Sequence, residues 1–176
     1  MPAGVGPLPS DRERLAALLL VGAQVSLIAL LAVLPRRRDW PVPPPLRRAG
    51  AAGTLAGLGV VAISGRRLGT ALTPSPLPAR SGALVTAGPY RWVRHPLYSG
   101  LLLAGGARTA AAGSAPHLGA FVALAALLGV KARWEERRLQ ARFPAYTAYA
   151  RRTTRFVPRL RSALGGFRWH DRSSDD

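Results

Sequence analysis

Four apolar runs, divided by connections rich in arginine and proline, organise the chain. The first, Leu15 to Leu34, carries no charge across 20 residues, about the length an α-helix needs to cross a bilayer core. It ends in Pro35-Arg36-Arg37-Arg38 and lacks the short apolar core and small-residue cleavage site of a secretory signal, which predicts a retained transmembrane helix. The second run, Ala49 to Gly65, is shorter and rich in small residues, so it should pack closely against other helices. A connection stiffened by four prolines, RRRDWPVPPPLRR, lies between the two.

The third and fourth runs, Leu97 to Gly113 and Ala115 to Val130, meet at a Gly113-Ser114-Ala115-Pro116 turn and predict a helical hairpin. Before them lies a long polar connection, Arg66 to Arg94, broken by TPSPLP and holding a short extended candidate at Leu84-Val85-Thr86. Arg108, near the far end of the third run, can snorkel outward. Beyond the fourth, Lys131 to Phe143 should emerge into water as a continuing helix, followed after Pro144 by the amphipathic AYTAYARR. The predicted fold is therefore an all-α integral membrane protein of about four transmembrane helices, with a helical hairpin and a C-terminal amphipathic helix. Its parts are an N-terminal tail (1–14), two spans (15–67), a core (68–158) and a disordered tail (159–176).

Composition narrows the function classes. The chain has 176 residues, is 48% hydrophobic and carries a formal net charge of +17, a pairing foreign to soluble domains. Its arginines flank the apolar runs, as in membrane proteins, rather than forming the basic face of a nucleic-acid-binding module. There is no cysteine, and the three histidines, His95, His117 and His170, are far apart, which argues against a metal site. Four spans put both termini on one side. The arginine excess after Val130 makes that side cytoplasmic, most naturally at a bacterial inner membrane, although five arginines in the first connection pull the other way.

The chemistry-bearing stretch is GPYRWVRHPLYSG, Gly88 to Gly100. Pro96 disfavours helix at His95 and suits a first helical position, so the third helix should start there with Tyr98 in its first turn. Free backbone N–H groups at such a start attract anions. Gly88-Pro89 should bend Tyr90 back toward the same place. The plainer reading is an interfacial belt of Arg91, Trp92 and Arg94, which has no need of His95-Pro96. Glu135 and Glu136, the only acids between Trp40 and His170, read most simply as a solvated helix face among cations. The hairpin, however, returns Glu135 to the membrane face beside His95 and Tyr98. A carboxylate, an imidazole and a phenol would then converge and could hold a zwitterionic ligand with an extra positive charge.

The pattern LVTAGPYRWVRHPLYSG, a hairpin, and then EERRLQARFPAYTAY and RFVP resembles the isoprenylcysteine carboxyl methyltransferase family and, in outline, phospholipid N-methyltransferases. The resemblance covers Leu68 to Pro158. It implies a membrane-embedded methyltransferase using S-adenosylmethionine, with the C-terminal segment folded over the cofactor. Implied cofactor contacts fall on Ala83, Leu84, Val85, Tyr90, His95, Pro96, Leu97, Tyr98 and Glu135, with Glu136 beside it. His95 would be the catalytic helper, taking a proton from an amine acceptor. The family's substrate-contacting arginine falls on Lys131, a point charge rather than a fork, with Arg133 as a substitute. The acceptor would be lipid-like or a small hydrophobic molecule, reached from the bilayer, and no metal is implied. The rival reading is a non-catalytic membrane protein whose basic juxtamembrane loops bind anionic lipid.

Overall fold

The computed structural model describes residues 10–69 and 84–159. These form five α-helices, α1 (Asp11–Val33), α2 (Pro44–Leu68), α3 (Pro96–Ala112), α4 (Ala115–Arg142) and α5 (Tyr146–Arg152), with a 3-10 turn at Gly88–Arg91. Among the described residues the only β contact is an isolated parallel bridge between Val93 and Thr154. The all-helical expectation holds. The TPSPLP break, Ala83 and nearly all of the predicted tail lie outside the described residues, and 84–86 takes no regular structure.

Each helix begins and ends for local reasons. Ser10 caps α1, its hydroxyl accepting from the Glu13 N–H while the Glu13 carboxylate accepts from the Ser10 N–H at 2.9 Å. The prolines expected to stiffen a loop instead open α2, where Pro44 and Pro45 occupy first-turn positions that need no N–H donor. The helix thereby starts five residues before the apolar run does. Gly113, at φ 58°, ends α3 in the left-handed region, and Ser114 starts α4. The Asp39 carboxylate accepts from the Ala115 N–H at 2.6 Å, so the α1–α2 connection is tied to the hairpin turn.

Three helices, α1, α2 and α4, are long and apolar enough to cross a membrane. Four spans were expected, and α3 is the one outside this set. Its 17 residues rise only about 25 Å, short of a hydrocarbon core of roughly 30 Å, and they include Arg108. The Arg108 guanidinium does not simply snorkel. Its Nε and Nη2 donate to the carbonyls of Leu31 and Ala32 at 3.0 and 2.9 Å, satisfying acceptors that the end of α1 leaves open. The apolar surface is turned outward as a bilayer requires, with Leu18 69% and Leu55 70% exposed. The inner core is narrow, with Leu31 of α1 packed against Ala120, Leu124 and Leu128 of α4 and bordered by Leu101 and Leu102 of α3.

Helices α2 and α3 meet through glycine and alanine. A Cβ on Gly57 would lie 2.5 Å from the Ala104 N and 2.6 Å from the Gly100 O. One on Gly100 would lie 2.7 Å from the Gly57 O and 2.8 Å from Val61 Cγ2. The backbones therefore touch, and the expectation of close packing for the second run is met at named positions. Thr54 adds a hydroxyl donated to the Gly50 carbonyl at 2.8 Å and the Ala104 carbonyl at 3.4 Å. Gly100→Ala should lower the thermal midpoint of the detergent-solubilised protein, reflecting about 1–3 kcal/mol of overpacking. Gly59→Ala, whose new Cβ meets nothing within 4 Å, should leave the midpoint level or raise it slightly. Equal shifts in both variants would refute the contact.

Candidate functional site

The start of α3 and the end of α4 enclose a charged cluster. His95 sits just before the helix at φ −125° and ψ 63°, held there by Pro96 at the first helical position. Its main-chain N–H donates to the Arg155 carbonyl at 3.1 Å, and the Arg94 N–H donates to the Thr154 carbonyl at 2.8 Å. The C-terminal segment is thus laced onto the residues that precede α3. Ser99 extends the lacing by donating its hydroxyl to the Phe156 carbonyl at 2.6 Å.

His95 lies between two carboxylates. Its Nδ1 is 3.3 Å from Glu135 Oε2 and its Nε2 is 3.2 Å from Glu136 Oε1. A neutral imidazole has one N–H and would set a bare nitrogen against the second carboxylate, whereas imidazolium donates to both. Burial alone pulls the His95 pKa down, but hydrogen bonds to Glu135 and Glu136, reinforced by their charges, outweigh it and raise the pKa above its ordinary value of 6.5. As imidazolium, His95 donates to both carboxylates and has no lone pair with which to accept a proton.

Glu136 is the hub. Arg94 Nε donates to Oε1 at 2.9 Å, and Arg155 donates Nε to Oε1 at 3.1 Å and Nη2 to Oε2 at 2.5 Å. Arg94 further donates to the carbonyls of Ala150, at 2.9 Å, and Thr153. Glu135 accepts from the Tyr98 hydroxyl, and the Tyr98 ring stacks on His95 at 5.4 Å and 4°. Lys131, fully buried, donates to Gln24 of α1 at 2.5 Å and stands 5.6 Å from the Tyr98 ring centre. Tyr90 is buried and its carbonyl accepts from the Tyr149 hydroxyl at 2.6 Å. Burial first, then the neighbouring Tyr149 and Glu135, push its phenol above the usual range.

The convergence expected of His95, Tyr98 and Glu135 is therefore present, with Pro96 beneath it and Lys131 and Glu136 at its sides. Arg133, by contrast, is exposed, because two residues along a helix turn it away from Lys131 and Glu135. Leu84 and Val85 are half-buried in irregular chain. Arg94, assigned to the interfacial belt, is a core member of the cluster, while Arg91 remains outside, exposed and 4.5 Å from the Trp92 ring. Arg155, the first residue of RFVP, carries no sequence signal that marks it as a partner of Glu136. Among the described residues no group of three or more His, Asp and Glu side chains is arranged to hold a metal ion.

These features define a multi-pass, all-helical membrane protein whose surface end is closed by a network of ion pairs. No protein-family model matches the chain, and no solved structure matches it. Among curated proteins it is similar to the cobalt-zinc-cadmium resistance protein CzcN of Cupriavidus metallidurans, 41% identical over 118 residues, which is 66% of this chain and 53% of that protein. It is also similar to the nickel-cobalt-cadmium resistance protein NccN of Alcaligenes xylosoxydans xylosoxydans, 40% identical over 109 residues, 61% of this chain and 50% of that one. The chain spans about half the length of the curated relatives it matches.

The methyltransferase expectation is overturned by these relatives, which are named for metal resistance. Of the two carboxylates, Glu136 pairs with Arg94, His95 and Arg155, while Glu135 faces His95 and, at longer range, Lys131.

The cluster makes stability depend on pH. A group whose pKa is raised on folding stabilises fully below its unfolded value and loses that contribution as pH climbs through the folded value. For His95 the loss begins above 6.5. Between about pH 6 and about pH 9 the thermal midpoint of the solubilised protein should fall, and His95→Gln should flatten that slope. Glu136→Gln should cost stability near the lower end of roughly 3–5 kcal/mol, because it strands Arg94 and Arg155. The lower end applies since the Arg155 side chain keeps 33% exposure. A pH slope unchanged in His95→Gln would contradict this account.

Proposed function

We propose that the chain is a non-catalytic, multi-pass membrane protein that contributes to resistance against divalent transition-metal ions, held at the membrane surface by basic loops that bind anionic lipid. The observation that carries the first half is the similarity to CzcN at 41% identity over 118 residues. NccN, named for nickel, cobalt and cadmium, supports the same class of ion.

The form of the protein supports the second half. Three helices suit a bilayer, and arginines gather where the helices leave it, at Arg36, Arg37, Arg38, Arg47 and Arg48 on one end and Arg66, Arg67, Arg91 and Arg151 on the other. Lysine and arginine near the surface each add about 1 kcal/mol of attraction to anionic lipid. The end carrying the His95–Glu136 cluster also holds Arg133, Arg137, Arg142 and Arg152, a larger basic excess in all, which supports a cytoplasmic placement for it. The cluster's part is to clamp the segment after α5 against α3 and α4, keeping the surface end a single rigid body.

Expression in a metal-sensitive bacterial strain tests the reading. The inhibitory concentrations of cobalt, zinc, cadmium and nickel salts should rise severalfold for at least one metal, and Glu136→Gln at matched membrane abundance should lose part of that gain. Unchanged tolerance to all four metals, with the protein present in the membrane, would refute it.

A further inference from the structure

At the end of the molecule away from the His95–Glu136 cluster, the α1–α2 connection, the start of α2 and the end of α3 enclose a cavity of about 350 Å³. Four arginines line it: Arg36 and Arg38 from the connection, Arg47 from α2 and Arg108 from α3. Trp40 and Val42 form part of its apolar wall. We propose that this cavity binds the phosphate of an anionic phospholipid headgroup.

The charge arrangement asks for an anion. None of the five ion pairs among the described residues includes any of these four arginines. The one acid of the connection, Asp39, directs its carboxylate to the Ala115 N–H instead. Four guanidinium groups around one small space repel one another, and a multiply hydrogen-bonded phosphate removes that repulsion. Arg108 has Nε and Nη2 engaged with α1, so the guanidinium is held in a fixed orientation with Nη1 left over.

A second, independent feature agrees. The first turn of α2 has no acidic residue and no side-chain cap, and it carries Arg47 where the helix dipole disfavours a cation. An anion at this position answers both the dipole and the arginine. Arg38 also holds φ 54°, a left-handed backbone uncommon for a residue with a side chain.

The setting favours lipid over a free ion. The cavity lies where α1 and α2 pass out of the membrane, and Trp40 is the kind of side chain that settles at headgroup depth. Guanidinium groups at one side and apolar walls from Val42, Ala51 and Ala111 at the other match a phosphate joined to acyl glycerol. The proposal narrows the lipid half of the function given above to one cavity, and it does not depend on the metal-resistance half.

The test is native mass spectrometry of the full chain in detergent, titrated in separate arms with phosphatidylglycerol, phosphatidylcholine and inorganic phosphate. Arg36→Gln/Arg47→Gln removes two cavity arginines that are themselves exposed, so the fold should survive; a melting curve checks this. Arg91→Gln/Arg151→Gln removes two exposed arginines from the other end as a control. Phosphatidylglycerol should be retained at least tenfold more tightly than phosphatidylcholine, with that preference lost in the cavity variant and kept in the control. Saturable inorganic phosphate binding that needs Arg36 and Arg47, without preference for phosphatidylglycerol, would keep the phosphate chemistry and overturn the lipid source. Equal loss in both variants would overturn the cavity while leaving general binding by basic loops intact. No preference for phosphatidylglycerol and no phosphate binding in the wild type would overturn both.

Discussion

The surface end of this protein depends on neutralising one buried carboxylate. Glu136 projects from α4 with only 10% of its side chain exposed, a position that would be severely unfavourable for a lone charge. Three cations from two separate segments meet it: Arg94 and His95 ahead of α3, and Arg155 beyond α5. Because the partners come from two stretches of chain far apart in sequence, neither stretch can move without stranding the other. Arg94 carries the constraint further by donating to Ala150 and Thr153, and this aligns the backbone for the Val93–Thr154 bridge. The order of the segment after α5 therefore follows from an electrostatic requirement at α4. Its own apolar contacts have a smaller part in it.

That requirement can be met only if α3 begins where it does. Gly57 and Gly100 let α2 and α3 touch backbone to backbone, which sets the height of α3 against α2. Pro96 fixes the first turn, so His95 stays outside the helix with both ring nitrogens directed at α4. The Gly113 turn then sends α4 back antiparallel, and Glu135 and Glu136 arrive at the level of His95. Small residues inside the bilayer thus determine the geometry of a polar network outside it.

The helices were readable because bilayer length, glycine content and proline position each act locally. The meeting of His95, Tyr98 and Glu135 was readable from hairpin geometry alone, since the return distance equals the outward one. What the sequence hid was stoichiometry. Nothing local distinguishes Arg94 from Arg91, yet one is bonded to Glu136 and the other lies on the Trp92 face. Arg155 opens the RFVP piece, but nothing there marks it as a partner of Glu136. Without those partners Glu135 and Glu136 read as spare negative charge, and spare negative charge beside an imidazole and a phenol suggested a cationic ligand. Once Arg94 and Arg155 are placed, the same residues form a closed clasp. Apolarity suggested that α3 crosses the membrane; its 17 residues fall outside the helices of clear spanning length, and Arg108 ties its far end to the carbonyl end of α1.

The two ends of the molecule answer the same excess of arginine differently. At the clasp, carboxylates from α4 and from Glu13 of α1 are available, and Arg94, Arg155 and Arg138 pair with them. At the opposite end the only acid of the connection is occupied in holding the α3–α4 turn, so the arginines there have carbonyls, water or an outside anion to turn to. Arg108 takes the first course. Arg36 and Arg47, exposed and drawn toward one cavity by the fold, have no comparable internal partner among the described residues. A guanidinium at a membrane boundary is most favourably placed against phosphate, which accepts two hydrogen bonds in its own plane and supplies the missing charge. The acid-poor sequence thus leaves the Glu136 clasp internally neutralised and the opposite end dependent on the bilayer around it.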